Sequence, residues 1–279
     1  MKIDLAPNIL LIYFQNNMKQ LLITIVALVL VGCGPSISIH KASEEGNIEV
    51  VKQHLAAGTD VNEGDEDGDT PLIYALEEGH KEVAKLLITK GADVNAKRDF
   101  AKTSPLHFAA IYDLKEIAAL LIAKGANVNA RSSRGWTPLM VAARRGKVDI
   151  AELLIANGAK VNAKCSMGRT ILHEVAYEGL KEAAELLIAN GAKVNVKDNI
   201  TEATPLHVAF GSKNMEVIDL LIANGADMNA MSRYGSSSLG TPLGWAENYP
   251  QKYPRIRAIF DKHGIKYGRK LKAFKAAGN

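Results

Sequence analysis

Apolar residues fall along this chain in two patterns. Leu21 to Val31 is an almost unbroken apolar run behind Lys19, with Thr24 its only polar member. From residue 37 onward the apolar positions recur in short stripes separated by polar, glycine-marked loops. Val83-Ala84 followed by Leu86-Leu87-Ile88 has the spacing of one face of an amphipathic helix. Before it stands a shorter helical stretch, and Gly79 divides the two. The same order returns through the rest of the chain, so the pattern predicts pairs of short helices.

The pairs are copies of one unit. Thr70-Pro71-Leu72, Ser104-Pro105-Leu106, Thr137-Pro138-Leu139, Thr170-Ile171-Leu172, Thr204-Pro205-Leu206 and Thr241-Pro242-Leu243 recur, their second positions stepping by 34, 33, 33, 34 and 37. One more step back reaches Ser38, in a degenerate first copy. Twenty residues beyond each anchor comes Gly58, Gly91, Gly125, Gly158, Gly191 or Gly225, each leading into Val-Asn or, once, Met-Asn. Thr or Ser caps a helix N-terminus, and proline at the first helical position loses no hydrogen bond there. Alanines such as Ala109, Ala110, Ala142 and Ala143 allow close helix approach. The second glycines suit a left-handed residue at a helix end. One helix pair cannot cover its own apolar side, so the pairs must stack. With packed helices ~8–10 Å apart, seven pairs make a curved rod about 60 Å long.

Thr204-Pro205-Leu206-His207-Val208-Ala209 and Gly225-Ala226-Asp227-Met228-Asn229-Ala230 resemble the ankyrin repeat almost letter for letter. The resemblance covers residues 37–265 and implies an all-α solenoid of about seven helix-turn-helix repeats with finger loops. It also implies a binding module without cofactor or metal. Three positions depart from the pattern. Asp113 and Lys213 stand where a turn glycine is usual, and Ile171 replaces proline. Asp tolerates the left-handed region, so the third turn should survive; the sixth is expected to be locally reshaped. The finger before Thr241 is longer, and Pro250 and Pro254 interrupt the last repeat.

The leader is a separate matter. Eleven helical residues span about 16 Å, against ~30 Å for a bilayer core, so Leu21–Val31 suits a secretory signal better than a transmembrane helix. Leu30-Val31-Gly32-Cys33-Gly34 resembles a bacterial lipobox, which implies cleavage after residue 32 and lipidation of Cys33. Residues 33–36 would then be a short linker, and Met18 fits as the true start better than Met1. Gly34, rather than Asp, after the cysteine implies the outer rather than the inner membrane, with the repeats facing the periplasm.

Composition narrows the chemistry. Of 279 residues 47% are apolar and 23% charged, which excludes a disordered chain, and two cysteines exclude a disulfide scaffold. Lys and Arg exceed Asp and Glu by only 34 to 30, which gives no case for nucleic acid. Residues 252–279 nevertheless hold nine basic side chains and one acidic. Within 266–279, Leu271 and Phe274 have the spacing of a terminal cap helix; the competing reading of this basic tail is contact with anionic lipid or acidic envelope polymer.

No catalytic constellation emerges. His40, His107, His173 and His207 share one place in the repeat, where a ring can bond to neighbouring loop backbone. Stacked copies lie about 10 Å apart, too far to share a metal with ligands at ~2.0–2.1 Å. The acidic run Glu63–Asp69 lacks the glycine and the bidentate glutamate of a helix-loop-helix calcium site, since Thr70 and Leu76 stand there, and reads as a solvated finger. Phosphate-binding, nucleophile-elbow and zinc-protease motifs are absent from the sequence. Cys165, in a finger, is expected to be exposed.

In the ankyrin family the concave side, made of first helices and finger tips, carries binding. The two residues before each turn and the one before each capping Thr place Ile111, Tyr112, Trp136, Arg144, Arg145 and Tyr177 in the middle of that side. Trp, Tyr and Arg dominate interface energies, so these six are the candidate partner-binding residues; the alternative is that Trp136 and Tyr112 merely pack on adjacent fingers. The expectation is a monomeric, non-enzymatic scaffold for an unknown protein partner, lipid-anchored in a bacterial envelope. A regulator that inhibits or stabilises a periplasmic enzyme, or a secreted host-directed ankyrin effector, are the alternatives.

Overall fold

The computed structural model describes residues 37–98, 100–233 and 240–268. The signal region, Met18, Cys33 and the tail residues Leu271 and Phe274 lie outside the described residues.

Among the described residues seven helix pairs follow one another: α1 (Ile39–Glu44) and α2 (Ile48–Ala56), α3 (Pro71–Glu77) and α4 (Lys81–Thr89), α5 (Pro105–Ile111) and α6 (Lys115–Ala123), α7 (Pro138–Arg144) and α8 (Val148–Ala156), α9 (Ile171–Glu178) and α10 (Lys181–Ala189), α11 (Pro205–Ser212) and α12 (Met215–Ala223), α13 (Pro242–Asn248) and α14 (Ile256–Lys262). First helices pack on first helices and second on second, which makes a two-layered solenoid. The proline-bearing last repeat inserts a 3-10 turn, Pro250–Lys252, between its helices. Among the described residues no helix is long and apolar enough to cross a membrane.

The core is the repeated stripe. Leu72, Leu106, Leu139, Leu172 and Leu206 of the first helices are buried, as are Leu87, Leu121, Leu154, Leu187 and Leu221 of the second. Ala75, Ala109, Ala142 and Ala209 are fully buried between them, where a larger side chain would push the layers apart.

Polar motifs join neighbouring repeats. The Val-Asn asparagines form a ladder: Asn129 accepts from the Lys160 N–H at 2.8 Å and donates to the Gly158 carbonyl at 3.0 Å. Asn62, Asn95, Asn162 and Asn195 do the same one repeat further on in each case. The repeated histidines bond as their shared position implied. His107 Nδ1 accepts from the Ser104 N–H at 3.2 Å, and Nε2–H donates to the Trp136 carbonyl of the next finger at 3.0 Å. His173 and His207 repeat this with Thr170 and Ala203, and with Thr204 and Gly240. Such a ring is neutral, and burial pushes the pKa of all three down.

Asp113 takes the left-handed conformation expected of it, at φ 59°. The sixth turn is not reshaped. Lys213 adopts φ 61°, and the Asn214 N–H donates to the Ala209 carbonyl as the His80 N–H donates to that of Ala75 in a glycine-containing turn. The hydrogen bonds and packing of the two helices outweigh the ~1 kcal/mol a non-glycine residue loses there.

Candidate protein-interaction face

The fingers are the first component of the face. In each, the N–H of Asp65, Arg98, Ser132, Cys165 or Asp198 donates to the carbonyl just before the next helix cap, at 2.9–3.1 Å. Asp65, Ser132 and Asp198 also turn their side chains inward to accept backbone N–H groups of their own finger. Consecutive fingers are stapled together by Ser133 N–H to Ala101 O, Ser166 N–H to Arg134 O, Asn199 N–H to Met167 O and Arg233 N–H to Thr201 O, at 2.7–3.0 Å. Two fingers carry one extra residue and accept the staple one position later. The residue that would otherwise accept it is apolar and pushed outward: Phe100 is 96% and Ile200 62% exposed. In those same fingers Lys102 and Glu202 hold the left-handed position that Gly68, Gly135 and Gly168 hold elsewhere.

Trp136 sits where finger meets helix. Its carbonyl accepts from both Ser132 N–H and His107 Nε2, and its own N–H donates to Ser132 Oγ at 3.2 Å. The backbone under the indole is therefore fixed from two repeats. The indole is half-buried, and the Arg144 guanidinium lies over it, 5.1 Å from the ring centre. Two hollows meet at this pair. The smaller, 210 Å³, is lined by Ile111, Val141, Arg134 and Arg145 together with Trp136 and Arg144. The larger, 740 Å³, continues past Arg169, Glu174, Met167 and Tyr177.

Charge on this face is partly spoken for. Arg144 Nε lies 3.3 Å from Glu178 and 3.7 Å from Glu174, and Arg169 lies 3.8 Å from Glu174 and 3.3 Å from Asp198. Burial pushes the Glu174 pKa up, against the pull of the two arginines. Burial also opposes the Asp198 carboxylate, but the Thr201 and Ile200 N–H groups, the Thr201 hydroxyl and Arg169 together hold its pKa below the usual range. Arg134 and Arg145 are exposed and form no ion pair among the described residues.

Five of the six residues named from sequence, Ile111, Trp136, Arg144, Arg145 and Tyr177, line the two hollows. Tyr112 is exposed beside them, its ring stacked on Phe108 at 6.5 Å. The finger residues Arg134 and Met167 complete the face. Their signal was a long side chain at the tip of an otherwise small, polar finger. Cys165 corrects the expectation of an exposed thiol, being only 6% exposed. It occupies the inward position of Ser132 and Asp198, and its side chain fills the space theirs do. Asp69 departs from a solvated acidic finger too: it is buried against Arg98 Nε at 2.6 Å. No group of His, Cys, Asp and Glu among the described residues could hold a metal ion.

The ankyrin-repeat family model matches three times, over residues 39–132, 126–198 and 160–232, and the chain belongs to that family. It is similar to a solved ankyrin repeat domain from Acinetobacter baumannii AYE, with 32% identity and a TM-score of 0.63 over 68% of this chain and 98% of that one. No curated protein matches it. Ankyrin repeats generally mediate protein–protein interaction, and the fold is typically non-enzymatic.

Proposed function

We propose that the chain is a non-catalytic scaffold that captures a protein partner on the face around Trp136. The observation that carries this reading is the Trp136–Arg144 pair: an aromatic on an immobilised backbone, half open to solvent, between two hollows and beside two arginines that form no ion pair among the described residues. A rigid aromatic anchor loses little entropy on binding, and Trp and Arg are the residue types that dominate interface energy. Lipidation at Cys33 would tether the solenoid to a bacterial envelope membrane and raise its local concentration at a membrane-bound partner.

Crosslinking in detergent-solubilised envelopes, comparing wild type with a Trp136→Ala, Tyr112→Ala variant, tests the face. One dominant protein lost in the variant, with an unchanged thermal midpoint, supports it; a list of captured proteins that the variant leaves unchanged overturns it. Palmitate labelling that disappears in Cys33→Ser tests the anchor separately. Failure to label wild type would favour a secreted protein instead.

A further inference from the structure

The smaller hollow is built for a particular kind of guest. Its floor is Ile111, Val141 and the indole of Trp136, and its rim is Arg134, Arg144 and Arg145. At 210 Å³ it falls below the ~300 Å³ at which small-molecule sites begin, and matches a single side chain. Arg144 faces its own acids through Nε, whereas Arg134 and Arg145 meet no carboxylate among the described residues.

The surrounding charge agrees with the rim. Residues 101–150 carry eight basic and three acidic side chains, whereas residues 51–100 carry six and eleven. The solenoid therefore changes sign between its second and third repeats. An acidic guest is repelled from the first fingers and drawn to the middle ones. Nucleic acid suits this arrangement poorly, because a phosphate backbone needs cations along its whole track and here the track runs into Glu77 and Glu78.

We propose that this hollow takes one apolar side chain of an acidic, extended segment in the protein partner, with carboxylates on either side of it held by Arg134, Arg145 and Arg144. The proposal rests on the reading of this face as the binding surface and adds the chemistry of what it binds. Guanidinium–carboxylate bonds supply charge-assisted contacts at the rim, and burial of the apolar group on the indole supplies the anchor. Specificity lies in the combination: a purely acidic segment leaves the floor wet, and a purely apolar one leaves Arg134 and Arg145 uncompensated.

The probe is a fluorescein-labelled nine-residue peptide with a central leucine between two Asp-Glu pairs, followed by anisotropy. Saturable binding that weakens with salt is expected. Replacing the leucine by serine, or using the Arg134→Ala, Arg145→Ala variant, should weaken binding about tenfold or more. Both arginines are exposed, so the variant should keep the wild-type thermal midpoint. Equal binding of a peptide with lysine for every acid overturns the proposal, as does tighter binding of a thymidine oligonucleotide or of phosphatidylserine vesicles. So does absence of peptide binding up to about 1 mM, the weak end of ordinary recognition. If the peptide fails while crosslinked capture still depends on Trp136 and Tyr112, the chemistry is wrong and the face stands. If both fail, the face itself is wrong.

Discussion

Two arginines in this solenoid lie over aromatic rings at almost the same distance, and they end in different roles. Arg98 stands 5.2 Å from the Phe108 ring and Arg144 5.1 Å from that of Trp136. Arg98 is closed in by its own chain: Nε meets Asp69 at 2.6 Å, and both terminal nitrogens meet Glu77 at 2.9 and 2.6 Å. Phe108 beneath it is buried. Arg144 reaches only longer contacts with Glu174 and Glu178, its side chain is 44% exposed, and its neighbours are more arginines. The same pair acts as a fastening where two carboxylates close tightly on the guanidinium and as an offered surface where they stand further off and one of them is shared with Arg169. What separates the two is the closeness of the acids, not residue type.

Acid should open this difference widest. His107 fastens the Trp136 carbonyl, and His173 and His207 fasten the fingers that follow, while the knot around Arg98 has Ile73 where a capping histidine would stand. Burial pushes the His173 pKa from 6.5 down to about 4. Above pH 6.5 the ring is neutral folded or unfolded and contributes nothing. Between 6.5 and about 4 only the unfolded chain takes the proton, so stability falls as pH falls, by about 3 kcal/mol from this ring alone. Hydrogen exchange at pH 5 should show the third to sixth repeats loosening before the second. Uniform loosening would mean that the capping histidines do not set the acid limit.

Arg98→Ala comes next in size. It leaves Asp69 buried without its cation, Glu77 without its fork and Phe108 uncovered, and should cost about 2–3 kcal/mol in urea unfolding. A cost below about 0.5 kcal/mol would put Arg98 in the same category as the exposed arginines. Asn129→Ala tests a fastening without charge. It removes both hydrogen bonds to the next repeat and should cost about 1–2 kcal/mol, with no effect on the face beyond lower cooperativity between its two sides.

The repeats were legible because each anchor has a local cause: a cap, a proline, a glycine or a buried leucine. The candidate face was legible in its helical half, since Ile111, Arg144, Arg145 and Tyr177 sit at fixed offsets from the turns. Other features have no local cause. The knot of Asp69, Glu77 and Arg98 joins two repeats and exists only once they stack. The single extra residue that pushes out Phe100 and Ile200 appears in sequence only as a step of 34 instead of 33. Lys213 looked like a disruption because glycine is usual there, whereas the packing of α11 and α12 holds it left-handed. Cys165 looked exposed because fingers are polar, whereas alternate finger positions turn inward.

The smallest effect separates the fastened Arg98 most sharply from the rim around Arg144. Arg145→Ala removes a side chain that has no acidic partner among the described residues and shares a rim with Arg134 and Arg144. An exposed charge beside other arginines and without an acid in ion-pair reach among the described residues adds some repulsion, screened over about 8 Å at physiological salt. The substitution should therefore change stability by less than about 0.5 kcal/mol, toward higher stability, and the gain should shrink as salt is added. A measurable loss would mean that Arg145 is fastened as Arg98 is. A gain would mean that the middle repeats keep an arginine at some expense in stability, which is what a residue retained for binding rather than for folding does.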